Sequence, residues 1–141
     1  MLSPRFVVPL LLGTLVSRNM AHILLVDDSE VLRETLERAL KRRGYTVTTA
    51  TDGQEALTRL EEAEAVDLVI TDILMPGKEG VQTVEELKRR FPDLPVLAMS
   101  GGGRSAPEGY LALARAAGAT ETLSKPFSLQ DFLAITTRLL P

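Results

Sequence analysis

The stretch Asp67–Gly77 reads DLVITDILMPG, and its first six residues decide the fold of this 141-residue chain. Leu68 to Thr71 is a short run, β-branched from Val69 on and with no polar alternation, which suits a strand buried on both faces, as in a parallel sheet. Asp72 follows it directly, where the run has to leave the sheet. Met75-Pro76-Gly77 then supplies turn chemistry. The strand is expected over Asp67–Thr71.

Working outward, two further apolar runs match it: HILLV at His22–Val26 and PVLAM at Pro95–Met99. Helical spacing fills the gaps. Val31, Leu32, Leu36, Ala39 and Leu40 recur on a helix that Gly44 ends. Tyr45–Ala50 is β-rich and alternating. Asp52 with Glu55 three residues on is an aspartate version of the capping box, ahead of Ala56, Leu57, Leu60 and Ala63. Gly80–Phe91 gives a helix with Val81, Val84 and Leu87 inward, closed by Pro92. Pro107–Ala117 gives another, stopped by Gly118. Glu121–Ser124 is a weak fifth strand, and Ser128 with Asp131 caps a last helix ending near Leu140. Strict alternation of strand and helix predicts an α/β fold, a five-stranded, doubly wound parallel sheet covered on both faces. There is room for one such domain and no eight-fold barrel.

Composition narrows the function classes. Hydrophobic residues make up 45% and charged residues 25%, a globular balance. No cysteine is present, which excludes disulfides, thiol catalysis and cysteine-ligated zinc and fits a reducing cytosol. A net charge of −3 gives no basic footprint for nucleic acid. Residues 1–19, MLSPRFVVPLLLGTLVSRN, stand apart from the domain expected over 20–141. Their apolar run, Phe6–Val16, is broken by Pro9 and Gly13 and is shorter than the roughly 20 residues a membrane-spanning helix needs. It lies behind Arg5 as a signal-peptide core would, yet no A-x-A-like cleavage site follows. The segment reads as a disordered extension or non-native start, with Met20 as the natural one. A peripheral anchor or export signal is the weaker alternative. No linker toward a second domain is visible after the last helix.

The informative polar residues cluster by position. Asp27 and Asp28 follow the first strand, Asp72 the third, Ser100 the fourth and Lys125 the fifth. In a parallel sheet these positions share the carboxyl edge, where ligands bind. Each residue alone has a plainer explanation, since Asp or Ser after a strand commonly caps the next helix. Five arriving at one edge are hard to explain that way. Converging carboxylates repel unless a cation neutralises them, and oxygen ligands suit a hard divalent ion such as Mg²⁺. A lysine and a hydroxyl complete the parts that phosphoryl transfer to a carboxylate requires. Asp72 is central, while adjacent Asp27 and Asp28 are better placed as metal ligands.

ILLVDDS, VITDILMPG and LSKPF, in that order with a serine after the fourth strand, resemble the receiver domains of two-component response regulators, of the single-domain, chemotaxis-receiver-like kind. The resemblance runs from about Ala21 to Leu140. It implies a flavodoxin-like (βα)5 fold with strand order 2-1-3-4-5. It also implies Asp72 as phospho-acceptor, with Mg²⁺ held by Asp27, Asp28, Asp72 and the main-chain carbonyl of Leu74. Ser100 is then the hydroxyl that follows the phosphoryl group and Lys125 its ion-pair partner, before a cis Lys125–Pro126 bond. The implied partners are a histidine kinase or phosphotransfer protein and a downstream protein. The latter would meet the face of the fourth helix, fifth strand and fifth helix. The implied setting is cytoplasmic, without a membrane span, and the chemistry is self-phosphorylation and autodephosphorylation only.

Three departures stand out. Thr122 occupies the place of the family's aromatic switch residue, three positions before Lys125. GGGRSAPEG after Ser100 is about three residues longer than usual, and it lacks the Gly-Lys-Ser/Thr of a P-loop. Leu74, like Gly102, stands where the family tunes phosphoryl lifetime, and an apolar Leu74 offers no group to orient an attacking water. Slow hydrolysis is the expectation. Two other functions compete: a receiver-shaped module that is never phosphorylated, and an aspartate-nucleophile, Mg²⁺-dependent phosphatase. The phosphatase wants an acid where Leu74 stands. A flavin carrier would need a hydroxyl- and glycine-rich loop in place of Asp27-Asp28-Ser29. His22 is read as a solvated strand-end residue. Lys41-Arg42-Arg43 and Lys88-Arg89-Arg90 are read as cations at helix C-termini, where the macrodipole favours them.

Overall fold

The computed structural model describes residues 21–63, 65–73, 79–100 and 107–141. Five strands alternate with five helices: β1 His22–Val26, α1 Glu30–Arg42, β2 Thr46–Ala50, α2 Gly53–Glu62 and β3 Leu68–Asp72, then α3 Glu79–Arg90, β4 Val96–Ser100, α4 Pro107–Ala117, β5 Glu121–Ser124 and α5 Leu129–Leu139. All pairings are parallel, in the order β2-β1-β3-β4-β5. Fold class and strand order are therefore as expected. The segments 1–19, the Leu74 carbonyl and the glycine loop at 101–106 lie outside the described residues.

The two-residue period of the strands divides the core in two. Ile23, Leu25, Leu68, Ile70, Leu97 and Met99 face α1 and α5, meeting Leu36, Leu40 and Phe132. Leu24, Val26, Val69, Val96 and Ala98 face the other way, against Ala56 and Leu60 of α2, Val84 and Leu87 of α3, and Leu111 and Ala114 of α4. Strands this apolar need cover on both sides, and one helix pair plus one helix trio supply it.

Element ends differ from the sequence expectation by a residue in places. Asp72 and Ser100 are the last residues of their strands and do not follow them. Asp67 stays outside β3 because its carboxylate accepts from the His22 N–H (2.8 Å), so it serves the neighbouring strand. Gly44 has φ 94° beyond α1, the left-handed conformation that ends a helix at little cost to glycine. Val31, in the first turn of α1, is 78% exposed. On α3 the fully buried apolar pair is Val84 and Leu87, while Val81 is only partly covered and Thr83 is buried. Thr83 fills the space beside Gly53, where an added Cβ would come within 2.0 Å of its hydroxyl oxygen.

Candidate functional site

Register sets the site. Val26 pairs with Thr71, so Asp27 and Asp72 leave the sheet side by side from β1 and β3. The strand order reverses at β1, which makes this the crevice where doubly wound sheets bind ligands. Asp72 pairs with Met99, placing Ser100 one step beyond, and Ser100 pairs with Ser124, which Lys125 follows. The Lys125 N–H donates to the Ser100 carbonyl (2.7 Å), fixing the start of the lysine side chain at the same edge. The Lys125–Pro126 peptide is cis.

The side chains converge. One carboxylate oxygen from each of Asp27, Asp28 and Asp72 lies within 4.8 Å of the others. Asp27 and Asp72 are buried and Asp28 is exposed, so the cluster has a closed floor and an open mouth. Lys125 Nζ stands 3.4 Å from Asp27 Oδ2 and 3.4 Å from Asp72 Oδ2. The hydroxyl of Ser100 is fully buried and has no hydrogen-bond partner among the described residues. Buried hydroxyls are nearly always bonded, so an orphan at the same sheet edge as the acids marks a place where an oxygen is meant to arrive.

Electrostatics agrees. Burial pushes the Asp27 carboxyl above the ordinary carboxylate range, and the Asp72 charge adds to this. The Ser29 N–H, which donates to Asp27 Oδ1 (2.8 Å), and Lys125 pull the other way without prevailing. A carboxylate held above its usual pKa among other acids seeks a cation. Three oxygen donors with an open side suit a hard ion such as Mg²⁺, which retains waters beside a few carboxylates. The donor set fits.

The five residues singled out from the sequence, Asp27, Asp28, Asp72, Ser100 and Lys125, are brought together. Leu74 lies outside the described residues. Thr122 takes a hydrogen bond from the Arg115 guanidinium (2.6 Å), joining α4 to β5. His22 differs from expectation: its ring nitrogens engage the Ala65 carbonyl (2.8 Å) and the Thr48 hydroxyl (2.7 Å), so it ties β1 to its neighbours. It does so at the opposite end of β1 from the acids. Arg33 escaped the sequence reading. Its guanidinium donates to the Asp27 carbonyl (2.8 Å), and nothing in the spacing of an exposed-looking arginine signals that contact. In the basic clusters, Lys41 pairs with Glu37, Arg89 with Glu86, Arg90 with Glu61 and Glu86, and Lys88 donates to the carbonyls of Pro92 and Leu94. Among the described residues no helix is long and apolar enough to cross a membrane.

Comparison with known proteins reaches the same place independently. Residues 23–137 match the family described as response regulator receiver domain. The response regulator MprA of Mycolicibacterium vanbaalenii is 39% identical over 119 residues, covering 84% of this chain and 50% of that protein. MprA of Mycobacterium ulcerans is 38% identical over the same length. The chain thus spans about half the length of the curated relatives it matches. Among solved structures, the chemotaxis response regulator CheY4 of Vibrio cholerae superposes with a TM-score of 0.74 at 33% identity, over 86% of this chain and 100% of that one. The response regulator TrrA of Thermotoga maritima, solved in complex with Mg(2+)-BeF, gives 0.74 and 33% over the same shares. The phosphatase alternative is not favoured by this match. On fold, on its acidic edge and on these likenesses, the chain belongs to the response regulator receiver domain family, a component of two-component signalling.

Proposed function

We propose that the domain is a phosphorylation-controlled receiver in which Asp72 accepts a phosphoryl group from a partner histidine kinase or phosphotransfer protein. The observation that carries this reading is the placement of one ammonium, Lys125 Nζ, 3.4 Å from both Asp27 and Asp72, with an orphaned buried hydroxyl at the same sheet edge. An Asp72 oxygen attacks phosphorus, the donor's bond to phosphorus breaks, and its electron pair leaves with the donor group. Asp27, Asp28, Asp72 and the Leu74 carbonyl would hold Mg²⁺, which supplies the positive charge that lets an anionic carboxylate meet an anionic phosphoryl group. Lys125 then turns from two carboxylates toward a phosphoryl oxygen, and the Ser100 hydroxyl finds an acceptor. Positioning and charge neutralisation provide the catalysis. No classical turnover enzyme is implied, only self-phosphorylation and autodephosphorylation, the latter slow beside an apolar Leu74.

The added charge, about −1.5 to −2 at neutral pH, biases the α4–β5–α5 face, through which a downstream protein reads the signal. Arg115 and Thr122 lie on that face in place of an aromatic switch. The reading puts the protein in the cytoplasm with its phosphodonor and gives this domain no nucleic-acid contact of its own. Incubation with acetyl phosphate and Mg²⁺, followed by intact-mass analysis, should add one base-labile phosphoryl group to the wild type and none to Asp72→Asn. A fully labelled Asp72→Asn variant would reject Asp72 as acceptor. A wild type that never labels would leave a receiver-shaped binding module.

A further inference from the structure

A second cation, on a different element from Lys125, is anchored to the backbone of one of the clustered acids. Arg33 lies on α1, partly buried, with its Nη1 donating to the Asp27 main-chain carbonyl (2.8 Å). The carboxylate of that same residue belongs to the acid cluster. Lys125 is committed to two carboxylates, whereas the Arg33 guanidinium makes this one hydrogen bond and no ion pair among the described residues. A guanidinium has five N–H donors in a planar fork that matches phosphate oxygens, and one of the five is used here. The carbonyl contact ties the group to the backbone of Asp27 without pairing it with a carboxylate. An arginine meant only to compensate the acids would pair with one of them.

We propose that Arg33 is an anion-binding residue of the phosphoryl-transfer site, contacting the phosphate of the incoming donor at the cost of some affinity for the metal. This rests on the function proposed above. Charge fixes opposite signs for the two ligands: a fixed cation near the cluster repels Mg²⁺ and attracts a phosphodonor. A residue that merely held the end of β1 in shape would, when lost, weaken both together. The two roles are therefore separable in one variant.

The experiment measures two constants for wild type, Arg33→Gln and Arg33→Lys. One is Mg²⁺ affinity from a titration followed by amide chemical shifts, without donor. The other is the phosphoramidate concentration that half-saturates the labelling rate at saturating Mg²⁺. Arg33→Gln should bind Mg²⁺ about two- to threefold more tightly and need about two- to fivefold more donor, as expected for a partly screened unit charge near the site. Arg33→Lys, which keeps the charge, should stay close to wild type for Mg²⁺ and recover most of the donor affinity. Parallel weakening of both constants, or no change in either, overturns the proposal. If the wild type takes no label, the functional reading itself fails, and the Mg²⁺ titration still reports whether Arg33 opposes the metal.

Discussion

At the end of β1 the Asp27 side chain is fully buried beside two other carboxylates, and burial raises its pKa above the ordinary value of 3.8. A carboxyl whose folded pKa is raised costs stability once pH rises past the unfolded value, and the cost grows until pH passes the folded one. Asp27→Asn keeps the shape and the acceptor for the Ser29 N–H while removing the charge. In metal-free buffer at pH 7 it should raise the unfolding free energy by about 0.5–2 kcal/mol, the usual gain when a strained functional group is relieved. The gain should shrink as pH falls toward 4, where the unfolded carboxyl also protonates. Urea midpoints at the two pH values check this. A variant less stable than wild type at pH 7 would mean that the Lys125 pairing outweighs burial. Under the proposed function the same substitution also weakens Mg²⁺ binding, so function and stability pull apart at this residue.

The start of α2 shows the same logic within an element. Asp52 caps the helix, its Oδ1 accepting from the Glu55 N–H (2.8 Å), as the capping-box spacing predicts. The return contact goes one residue further than the usual box: Glu55 Oε1 accepts from the Thr51 N–H (2.8 Å) and the Thr51 hydroxyl (2.9 Å). Those two bonds, with Arg59 beside the other oxygen, hold the Glu55 carboxyl below its ordinary value. A depressed carboxyl contributes stability above its unfolded pKa and loses it as pH falls through the folded one. Glu55→Ala should therefore lower the urea midpoint at pH 7, and the gap from wild type should narrow as pH falls below the ordinary glutamate value. A gap that persists unchanged at low pH would show that the side chain acts through packing and not charge.

For the molecule as a whole, the aromatic share is small, 4%, and one ring is the largest fully buried side chain among the described residues. Phe132 on α5 is fully buried against the face shared with α1, and its ring stacks on Phe127 with centroids 5.7 Å apart. Truncation leaves a cavity that a parallel sheet covered on both faces cannot collapse to fill. Phe132→Ala should cost about 3–5 kcal/mol, a large part of the 5–15 kcal/mol a domain of this size holds in reserve. Urea denaturation tests this, and a loss under 1 kcal/mol would show that α5 packs loosely on the sheet.

Much of this was legible in the sequence, because parallel strands covered on both faces are written as unbroken apolar runs and their loops as Gly, Pro and Asp. The alternation of elements, the placing of Asp27, Asp72, Ser100 and Lys125 at one edge, and the caps at Asp52 and Ser128 all follow from local pattern. Other features depended on register and on which helix met which face. The 3.4 Å span of Lys125 to two acids, the orphaned Ser100 hydroxyl, the Arg33 contact with Asp27 and the bonded ring of His22 join residues far apart in the chain or across a turn. Exposure of Val31 and burial of Thr83 belong to the same class, since a helical stripe says which side is apolar but not where the sheet beneath it ends. Local propensity and period are properties of neighbours in sequence. Distances, burial and the fields they create arise only once separate segments share a surface.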